Sequence, residues 1–223
     1  YNASSGLNQP NDNAPCWLGN TNTDWEGNYK VQYWSNDWQT TILDYLDKII
    51  DAGFDGVYLD IIDGWEYWSD DSNGESFSIA SSTAASHMIN FVKRIAYYAR
   101  VTKGKPNFYI FPQNGEAILD HDTEGELLDT ISGIGIEDLY YDETNGIDTA
   151  ETNERIPYLD DISTDGKPVI VVDYADDDTG YSGANKTRID DFYSKVQTKG
   201  YYPYVALSDR ELDEINSISG LQE

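Results

Sequence analysis

Basic residues, cysteine and long apolar runs are all scarce in this sequence, and each shortage excludes a class of function. Lys and Arg number 14 against 41 Asp and Glu, and the resulting formal charge of −27 repels nucleic acid and anionic membranes. Cys16 is the single cysteine, which excludes an internal disulfide and a cysteine-based metal site. No run of about 18 apolar residues occurs, so we expect no membrane-spanning helix. We therefore expect neither a nucleic-acid partner nor a membrane partner.

Phosphate-binding loops and metal-ligand spacings are absent as well. Neither GxGxxG nor GxxxxGK[ST] follows a predicted strand, so the sequence gives no support for nucleotide binding. His87 and His121 have no ligand partner at metal-binding spacing. The stretch DHDTEG (120–125) begins like a calcium loop, but Ile131 stands where the bidentate Glu is required. We expect no cofactor and no bound metal.

The excess of acidic residues has two compatible explanations. One is adaptation to high salt or to an acidic, exported setting, and the other is attraction of a cationic substrate. With 39% hydrophobic and 13% aromatic residues the chain is not a disordered acidic segment, and its 223 residues suffice for one domain with a sizeable core. The Asn, Ser, Thr and Tyr content favours an extracellular or cell-surface protein, and we expect a monomer.

Short apolar stretches alternate with helical patterns along the chain. Strands are predicted over residues 29–34, 55–60, 107–111, 134–137, 169–172 and 202–207. Helical periodicity follows most of them, as over residues 83–101, 151–162 and 184–199. Such alternation predicts an α/β fold with a parallel sheet and helices outside it.

Polar residues cluster where the predicted strands end. They are Asp60, Gln113, Asn114, Glu137, Asp138, Asp173 and Tyr174. In a (β/α)8 barrel the C-terminal ends of the strands form the active-site face. An open, doubly wound sheet would also bind its ligand there, so the position of the site does not depend on barrel closure.

Carboxylates beside aromatic residues indicate carbohydrate chemistry. Glycoside cleavage usually needs two carboxyl groups facing one bond, and Asp60 and Glu137 are the natural pair. If their strands are two apart, their backbones are roughly 9–10 Å apart. Side chains that lean inward could reach the ~5–5.5 Å of a retaining enzyme, and the wider inverting geometry remains open.

The other candidates have structural alternatives. Trp34, Trp65 and Trp68 are core residues or stacking surfaces for sugars, and the polar surroundings of the last two favour stacking. Asp63 is a loop cap or a substrate contact. The remaining strand-end residues listed above bind sugar hydroxyls or cap turns, and we take all of them as candidate substrate-binding residues.

Six stretches of the sequence resemble the TM1410-like branch of glycoside hydrolase family 114, the endo-α-1,4-polygalactosaminidase family. They are DWEGNYKVQYW (24–34), AGFDGVYLDIIDGWEYW (52–68), FPQNGE (111–116), GIGIEDLYY (133–141), VIVVDY (169–174) and GYYPYVAL (200–207). The resemblance implies a (β/α)8 barrel acting on α-1,4-linked galactosamine-containing polysaccharide. It also implies a catalytic Asp after the fourth barrel strand and a catalytic Glu after the sixth, which correspond to Asp60 and Glu137.

The resemblance also implies two βα units ahead of the first matching stretch. We therefore expect residues 1–223 to form one partial barrel domain, a (β/α)8 barrel with strands three to eight present and the first two βα units lacking. Two functional hypotheses follow. One is a glycosidase, with Asp60 as the nucleophile and Glu137 as the general acid/base. The other is a non-catalytic carbohydrate-binding or surface-associated barrel, in which the same residues hold polysaccharide without cleaving it.

Overall fold

The computed structural model describes residues 13–23, 25 and 27–222, so Asp24 and Glu26 of the first matching stretch lie outside the described residues. The strands are β1 Leu18–Thr21, β2 Tyr29–Val31, β3 Gly56–Leu59, β4 Tyr109–Pro112, β5 Ile134–Glu137, β6 Tyr141–Asp142, β7 Asn145–Gly146, β8 Val169–Asp176 and β9 Tyr202–Leu207. The α-helices are α1 Asn36–Asp51, α2 Gly64–Ser69, α3 Ser81–Tyr97, α4 Glu126–Thr130, α5 Thr149–Thr164 and α6 Gly183–Thr198. A π-helical turn, Tyr98–Thr102, extends α3, and a 3-10 helix, Glu116–His121, precedes α4. Among the helices described, none combines the length and the apolar character that a bilayer crossing requires.

The described residues group into two compact units that interleave along the chain. The first unit comprises those within Tyr1–Val57, Asp63–Tyr109 and Asp120–Thr130. The second comprises those within Tyr58–Ile62, Ile110–Leu119 and Ile131–Glu223. The candidate residues Trp34, Asp63, Trp65 and Trp68 therefore belong to the first unit, and all the other candidates belong to the second.

In the first unit, β1 and β2 form an antiparallel hairpin. The prediction of a parallel strand over residues 29–34 is therefore wrong in both length and partner. The strand ends at Val31 because the chain turns there: the Ser35 N–H donates to the Gln32 carbonyl at 2.8 Å, directly before α1. The hairpin satisfies backbone groups that a parallel neighbour would otherwise bind.

The first unit builds its core from amphipathic helices. α1 buries Leu43, Leu46 and Ile50 on one face, and α3 buries a stripe that includes Met88 and Val92. Spacings of three and four residues place these side chains on one side of each helix. α3 packs against both α2 and α4.

The second unit contains parallel strands. β5 pairs with β8 and β8 with β9, all in parallel, in the order β5-β8-β9. A single parallel bridge between Gln113 and Gly135 links the chain just after β4 to β5. β4 in turn pairs with β3: within the first unit Tyr109 N donates to Asp55 O, and within the second unit Gln113 N donates to Leu59 O, both at 2.8 Å. These two bonds advance in the same direction along both strands, so this pair is parallel as well.

Helices cover the parallel strands of the second unit. α6 packs against β8 and β9, and α5 packs against β8. The buried side chains at this interface include Leu159, Ile189 and Phe192, each 0% exposed. Helices on parallel strands confirm the α/β class that the alternating pattern predicts.

Glycines at β5 leave space for aromatic rings of other strands. A Cβ built on Gly133 would lie 2.3 Å from Cε1 of Phe111, and one built on Gly135 would lie 1.8 Å from the Tyr58 hydroxyl. Real Cβ atoms do not approach other atoms so closely. A Cβ on Gly133 would also meet the backbone oxygen of Pro168 at 2.7 Å, so this position requires glycine, whereas a larger residue at Gly135 would have to displace the Tyr58 ring. The "GIGIE" spacing around β5 therefore leaves room for aromatic residues from β3 and β4.

Candidate active site

Asp60 directly follows β3 and is exposed to solvent. Its Oδ1 accepts the Ile61 backbone N–H at 2.8 Å, which fixes the carboxylate against its own chain. No hydrogen bond from a described residue reaches its Oδ2. One carboxylate oxygen is therefore free to contact a ligand.

The residue after Asp60 has an unusual backbone conformation. Ile61 has φ of 60°, in the left-handed region that β-branched residues rarely adopt. Asn114 and Asp138, which follow β4 and β5, have φ of 53° and 51°. Asn and Asp tolerate this region, whereas Ile does not, so strain is concentrated beside Asp60.

Replacing Ile61 with Asn is expected to stabilise the protein by about 1 kcal/mol, because it removes the β-branched side chain from a left-handed position. Little burial is lost, since Ile61 is 59% exposed. Urea unfolding of the two proteins measures the change. The matched control is Ile215→Asn, at a residue that is 84% exposed and lacks a positive φ. Equal stability of the two variants would contradict the assignment of strain to Ile61.

Glu137 ends β5, and two side chains hold its carboxyl group. The Gln113 side-chain amide donates to Oε2, and the Tyr174 hydroxyl donates to Oε1. Gln113 follows β4 and Tyr174 lies in β8, so the strands on either side of β5 both supply a donor. The Glu137 carboxyl group is thus held in one orientation.

A partly exposed arginine supports the backbone around Glu137. Arg155, on α5, forms an ion pair with Glu116, which is 6% exposed. The same guanidinium donates to the carbonyls of Glu137 and Asp138 at 3.0 and 3.1 Å, and to Asn114 Oδ1 at 3.4 Å. Asn114 Oδ1 also accepts the Glu137 N–H at 2.9 Å. The guanidinium therefore connects the ends of β4 and β5.

Asp138 is paired with an arginine from the loop after β9. Arg210 donates to both Asp138 oxygens at 3.1 and 2.7 Å, and to Asp142 at 2.9 Å. Its guanidinium carbon also lies 4.0 Å from the centre of the Tyr174 ring. This stacking places the cation on the ring whose hydroxyl donates to Glu137.

The prediction that Asp173 contacts substrate is wrong, because its side chain is 0% exposed. Its carboxylate accepts three backbone N–H groups, from Leu139, Tyr140 and Tyr141, at 2.9, 2.8 and 2.9 Å. Asp173 instead fixes the turn that follows Glu137. Burial raises the pKa of Asp173 to about 6, against the opposing effect of the three N–H donors.

Asp173 is expected to make the protein more stable at mildly acidic pH than at neutral pH. Its folded-state pKa of about 6 exceeds the ordinary 3.8, so the folded protein binds the proton more tightly than the unfolded chain does. The resulting stabilisation is fully present below pH 3.8 and lost as the pH rises through 6. The size of the effect is at most about 3 kcal/mol.

Urea unfolding between pH 4 and 7.5 tests this on the wild type and on Asp173→Asn. The free energy of unfolding of the wild type, relative to the variant, should increase as the pH falls. Asp213→Asn, at an exposed carboxyl group, controls for charge changes elsewhere. A difference that does not vary with pH, or that increases toward neutral pH, would refute the prediction.

Both candidate carboxylates influence the pKa of Tyr58. Burial raises the pKa of its hydroxyl to about 12, and the negative charges of Glu137 and Asp60 contribute to the increase. The two strand-end acids predicted from the sequence, Asp60 and Glu137, therefore both raise the pKa of the same hydroxyl group. Tyr58 is absent from the sequence-based candidates, although a period of two along β3 places it on the same face as Asp60.

Three tryptophans of the first unit, Trp34, Trp65 and Trp68, pack against other aromatic rings. Trp65 and Trp68 lie on α2 and are 7% and 2% exposed, so the prediction that they stack on sugars from a polar loop is wrong. The Trp68 indole N–H donates to the Val31 carbonyl at 2.9 Å, and its ring meets Trp34 edge-on with centroids 5.1 Å apart. Trp34 also stacks on His87 at 5.6 Å. These rings pack with one another and serve the core of that unit.

Asp63 lies at the N-terminal end of α2 and is exposed. Its carbonyl accepts the Glu66 N–H at 2.9 Å, but its side chain makes no cap hydrogen bond to the helix. The structure does not group it with Asp60 and Glu137, since it belongs to the first unit. Its role as a substrate contact stays a prediction.

Acidic residues line the loops that follow the strands of the second unit. Residues 138–148, 177–182 and 208–222 contain Asp138, Asp142, Glu143, Asp148, Asp177, Asp178, Asp209, Glu211, Asp213 and Glu214, with Arg210 as their single basic residue. The loops before β8 and β9, residues 165–168 and 199–201, instead carry Lys167 and Lys199 beside Asp165. Negative potential is therefore concentrated at the end of the strands that holds Glu137, where it favours cations.

Comparisons with known proteins agree on one family. The sequence model of glycoside-hydrolase family GH114 matches residues 5–221. An uncharacterized protein of Methanocaldococcus jannaschii is 48% identical over 205 residues, which is 92% of this chain and 57% of the relative. An uncharacterized protein of Thermotoga maritima is 46% identical over 210 residues, which is 94% of this chain and 62% of the relative. The chain thus spans about three fifths of the length of these curated relatives.

Two solved structures share the fold at low sequence identity. The glycoside hydrolase domain of PelA from Pseudomonas aeruginosa matches with a TM-score of 0.57 and 13% identity, over 84% of this chain and 67% of that one. Ega3 of Aspergillus fumigatus, solved in complex with galactosamine, matches with a TM-score of 0.57 and 20% identity, over 92% of this chain and 66% of that one. The α/β fold is therefore that of glycoside hydrolase domains.

Proposed function

The chain belongs to glycoside-hydrolase family GH114, and from this premise we propose that it cleaves α-1,4-linked galactosamine-containing polysaccharide with Asp60 and Glu137. The observation that supports this most strongly is their placement. Both follow or end parallel strands of one unit, and the charges of both act on the Tyr58 hydroxyl. Two carboxyl groups that act on one glycosidic bond are what glycoside cleavage requires, and both of these stand at the C-terminal ends of parallel strands.

We propose a retaining mechanism with two displacements. The free Oδ2 of Asp60 attacks the anomeric carbon while Glu137 donates a proton to the glycosidic oxygen, so the leaving chain departs as an alcohol. Glu137 then removes a proton from water, which attacks the same carbon and releases Asp60. The donors on Glu137, from Gln113 and Tyr174, keep its carboxyl group directed at one position through both steps.

The proposed substrate is an amino sugar polymer because of the charge of the surrounding loops. Free amino groups of galactosamine are cationic, and the loops after β5, β8 and β9 are strongly acidic. The structural likeness to Ega3, which was solved with galactosamine, agrees with this choice. Opposite charge would raise the local concentration of the polymer, and salt would weaken that effect.

We also propose that the parallel strands belong to a (β/α)8 barrel. Support comes from the TM-score of 0.57 with the PelA glycoside hydrolase domain and from the parallel pairs β3-β4, β5-β8 and β8-β9, with a parallel bridge between the chain after β4 and β5. The candidate carboxyl groups then lie at the C-terminal end of the strands, where barrel enzymes have their active sites.

Product analysis on the full-length protein tests the proposed function. Partly deacetylated galactosaminogalactan should yield shorter oligosaccharides, whereas the fully N-acetylated polymer should be a poor substrate. Proton NMR of the first products should show the α-anomer, as retention requires. Binding of the polymer without any cleavage would instead support a carbohydrate-binding protein.

A further inference from the structure

Tyr58 occupies a place in the second unit that a side chain on β5 would otherwise fill. Its hydroxyl lies where a Cβ of Gly135 would be, at 1.8 Å from the ideal position, and its Cζ lies at 2.5 Å. Gly135 is two residues before Glu137, and Tyr58 is two residues before Asp60. Because strand side chains alternate between faces, the phenol lies on the same face as both carboxyl groups.

The hydroxyl of Tyr58 has no hydrogen-bond partner among the residues that the structure describes, and the residue is 51% exposed. Both neighbouring charges are negative, so the phenol keeps its proton and can donate it in a hydrogen bond. The hydroxyl can therefore donate a hydrogen bond to an acceptor oxygen of a ligand.

We propose that Tyr58 is a further substrate-binding residue, whose hydroxyl donates a hydrogen bond to an oxygen of the sugar unit held between Asp60 and Glu137. The ligand class rests on the proposed function. Gly135 has a specific part in this arrangement, because any larger residue would displace the ring from its position beside the carboxyl groups.

The first test compares Tyr58→Phe with Tyr109→Phe in the full-length protein. Tyr109 is the matched control: it is 55% exposed, begins β4, and also approaches a glycine, with a Gly56 Cβ position 2.6 Å from its own Cβ. Loss of one neutral hydrogen bond should lower kcat/KM on the amino sugar polymer by about fivefold to tenfold for Tyr58→Phe. Tyr109→Phe should leave it unchanged. Equal kcat/KM of the two variants would overturn the proposal.

The second test addresses the geometry without using activity. Gly135→Ala should lower the melting temperature, because the methyl group collides with the Tyr58 ring. Adding Tyr58→Ala to Gly135→Ala should restore part of that loss. If the double variant is as unstable as the sum of the two single variants, the ring does not occupy this place and the proposal is wrong.

A binding measurement separates this proposal from the proposed function. Calorimetry on Glu137→Gln, with galactosamine oligosaccharides as the probe, should show weaker binding after Tyr58→Phe is added. If the wild type binds but cleaves nothing, the proposed function fails, and the effect of Tyr58→Phe on affinity still decides the role of Tyr58. If the oligosaccharides do not bind at all, both proposals are rejected.

Discussion

Under the proposed retaining mechanism, cleavage of galactosamine-containing polymer is expected to become undetectable when Asp60 is replaced by Asn, and to fall by about 10²–10⁴-fold when Glu137 is replaced by Gln. Asn cannot form the covalent bond to the anomeric carbon, so the first displacement cannot begin. Gln leaves the nucleophile intact but cannot protonate the leaving oxygen. The loss of activity caused by replacing Glu137 therefore depends on the leaving group, whereas the loss caused by replacing Asp60 does not.

An aryl galactosaminide with an activated leaving group separates the two roles. Glu137→Gln should retain far more activity on it than on polymer, because a good leaving group departs without a proton. Asp60→Asn should be inactive on both substrates. Asp55→Asn is the matched control, since Asp55 directly precedes β3 and Asp60 directly follows it.

Two outcomes would contradict this assignment. If Glu137→Gln loses activity equally on both substrates while Asp60→Asn stays active, the two roles are reversed. If neither variant changes the activity, cleavage does not use this pair, and the non-catalytic carbohydrate-binding hypothesis is the better one.

Arg155→Ala is expected to lower the free energy of unfolding by about 3–5 kcal/mol. The substitution leaves Glu116, which is 6% exposed, without its partner cation. It also removes the donors to the carbonyls of Glu137 and Asp138. Urea unfolding measures the loss. Arg155→Lys should recover only part of it, because a single ammonium group cannot reach all of these acceptors in the geometry of the planar guanidinium.

An ion pair on the surface is the control for Arg155. Lys93 and Glu126 approach to 2.6 Å, but their side chains are 32% and 52% exposed. Lys93→Ala should therefore change stability by less than about 1 kcal/mol. If Arg155→Ala lowers the free energy of unfolding no more than Lys93→Ala does, then the Arg155–Glu116 pair does not stabilise the ends of β4 and β5.

The strands of the second unit could be predicted from sequence because they are short, apolar and flanked by turn residues. Ile134–Glu137 and Tyr202–Leu207 have the same bounds in the structure as in the prediction. β1 was missed, since LGNT lacks the β-branched residues and alternation that predict a strand. The short helix α2 was missed because polar residues surround its two buried tryptophans, and only the packing within the first unit explains their burial.

The candidate site could be predicted only in part, because local patterns identify strand-end residues but not the residues that only the fold brings next to them. Asp60 and Glu137 are found by position, since each stands at the end of an apolar strand. Arg155 and Arg210 come from α5 and from the loop after β9, and no local pattern connects them with Glu137. Asp173 has the same local sequence signature as a ligand contact, and only its burial and its three N–H donors distinguish the two roles.

The central position of β8 has a consequence for biosynthesis. β8 lies between β5 and β9, so the strand that bears Glu137 gains its main partner only when residues 169–176 have left the ribosome. Until then β5 has one bridge to the chain after β4, and its edge toward β8 can pair with other chains. Synthesis at about 5–20 residues per second leaves this nascent strand unprotected for seconds. Chaperone demand during translation should therefore peak between the synthesis of β5 and that of β8.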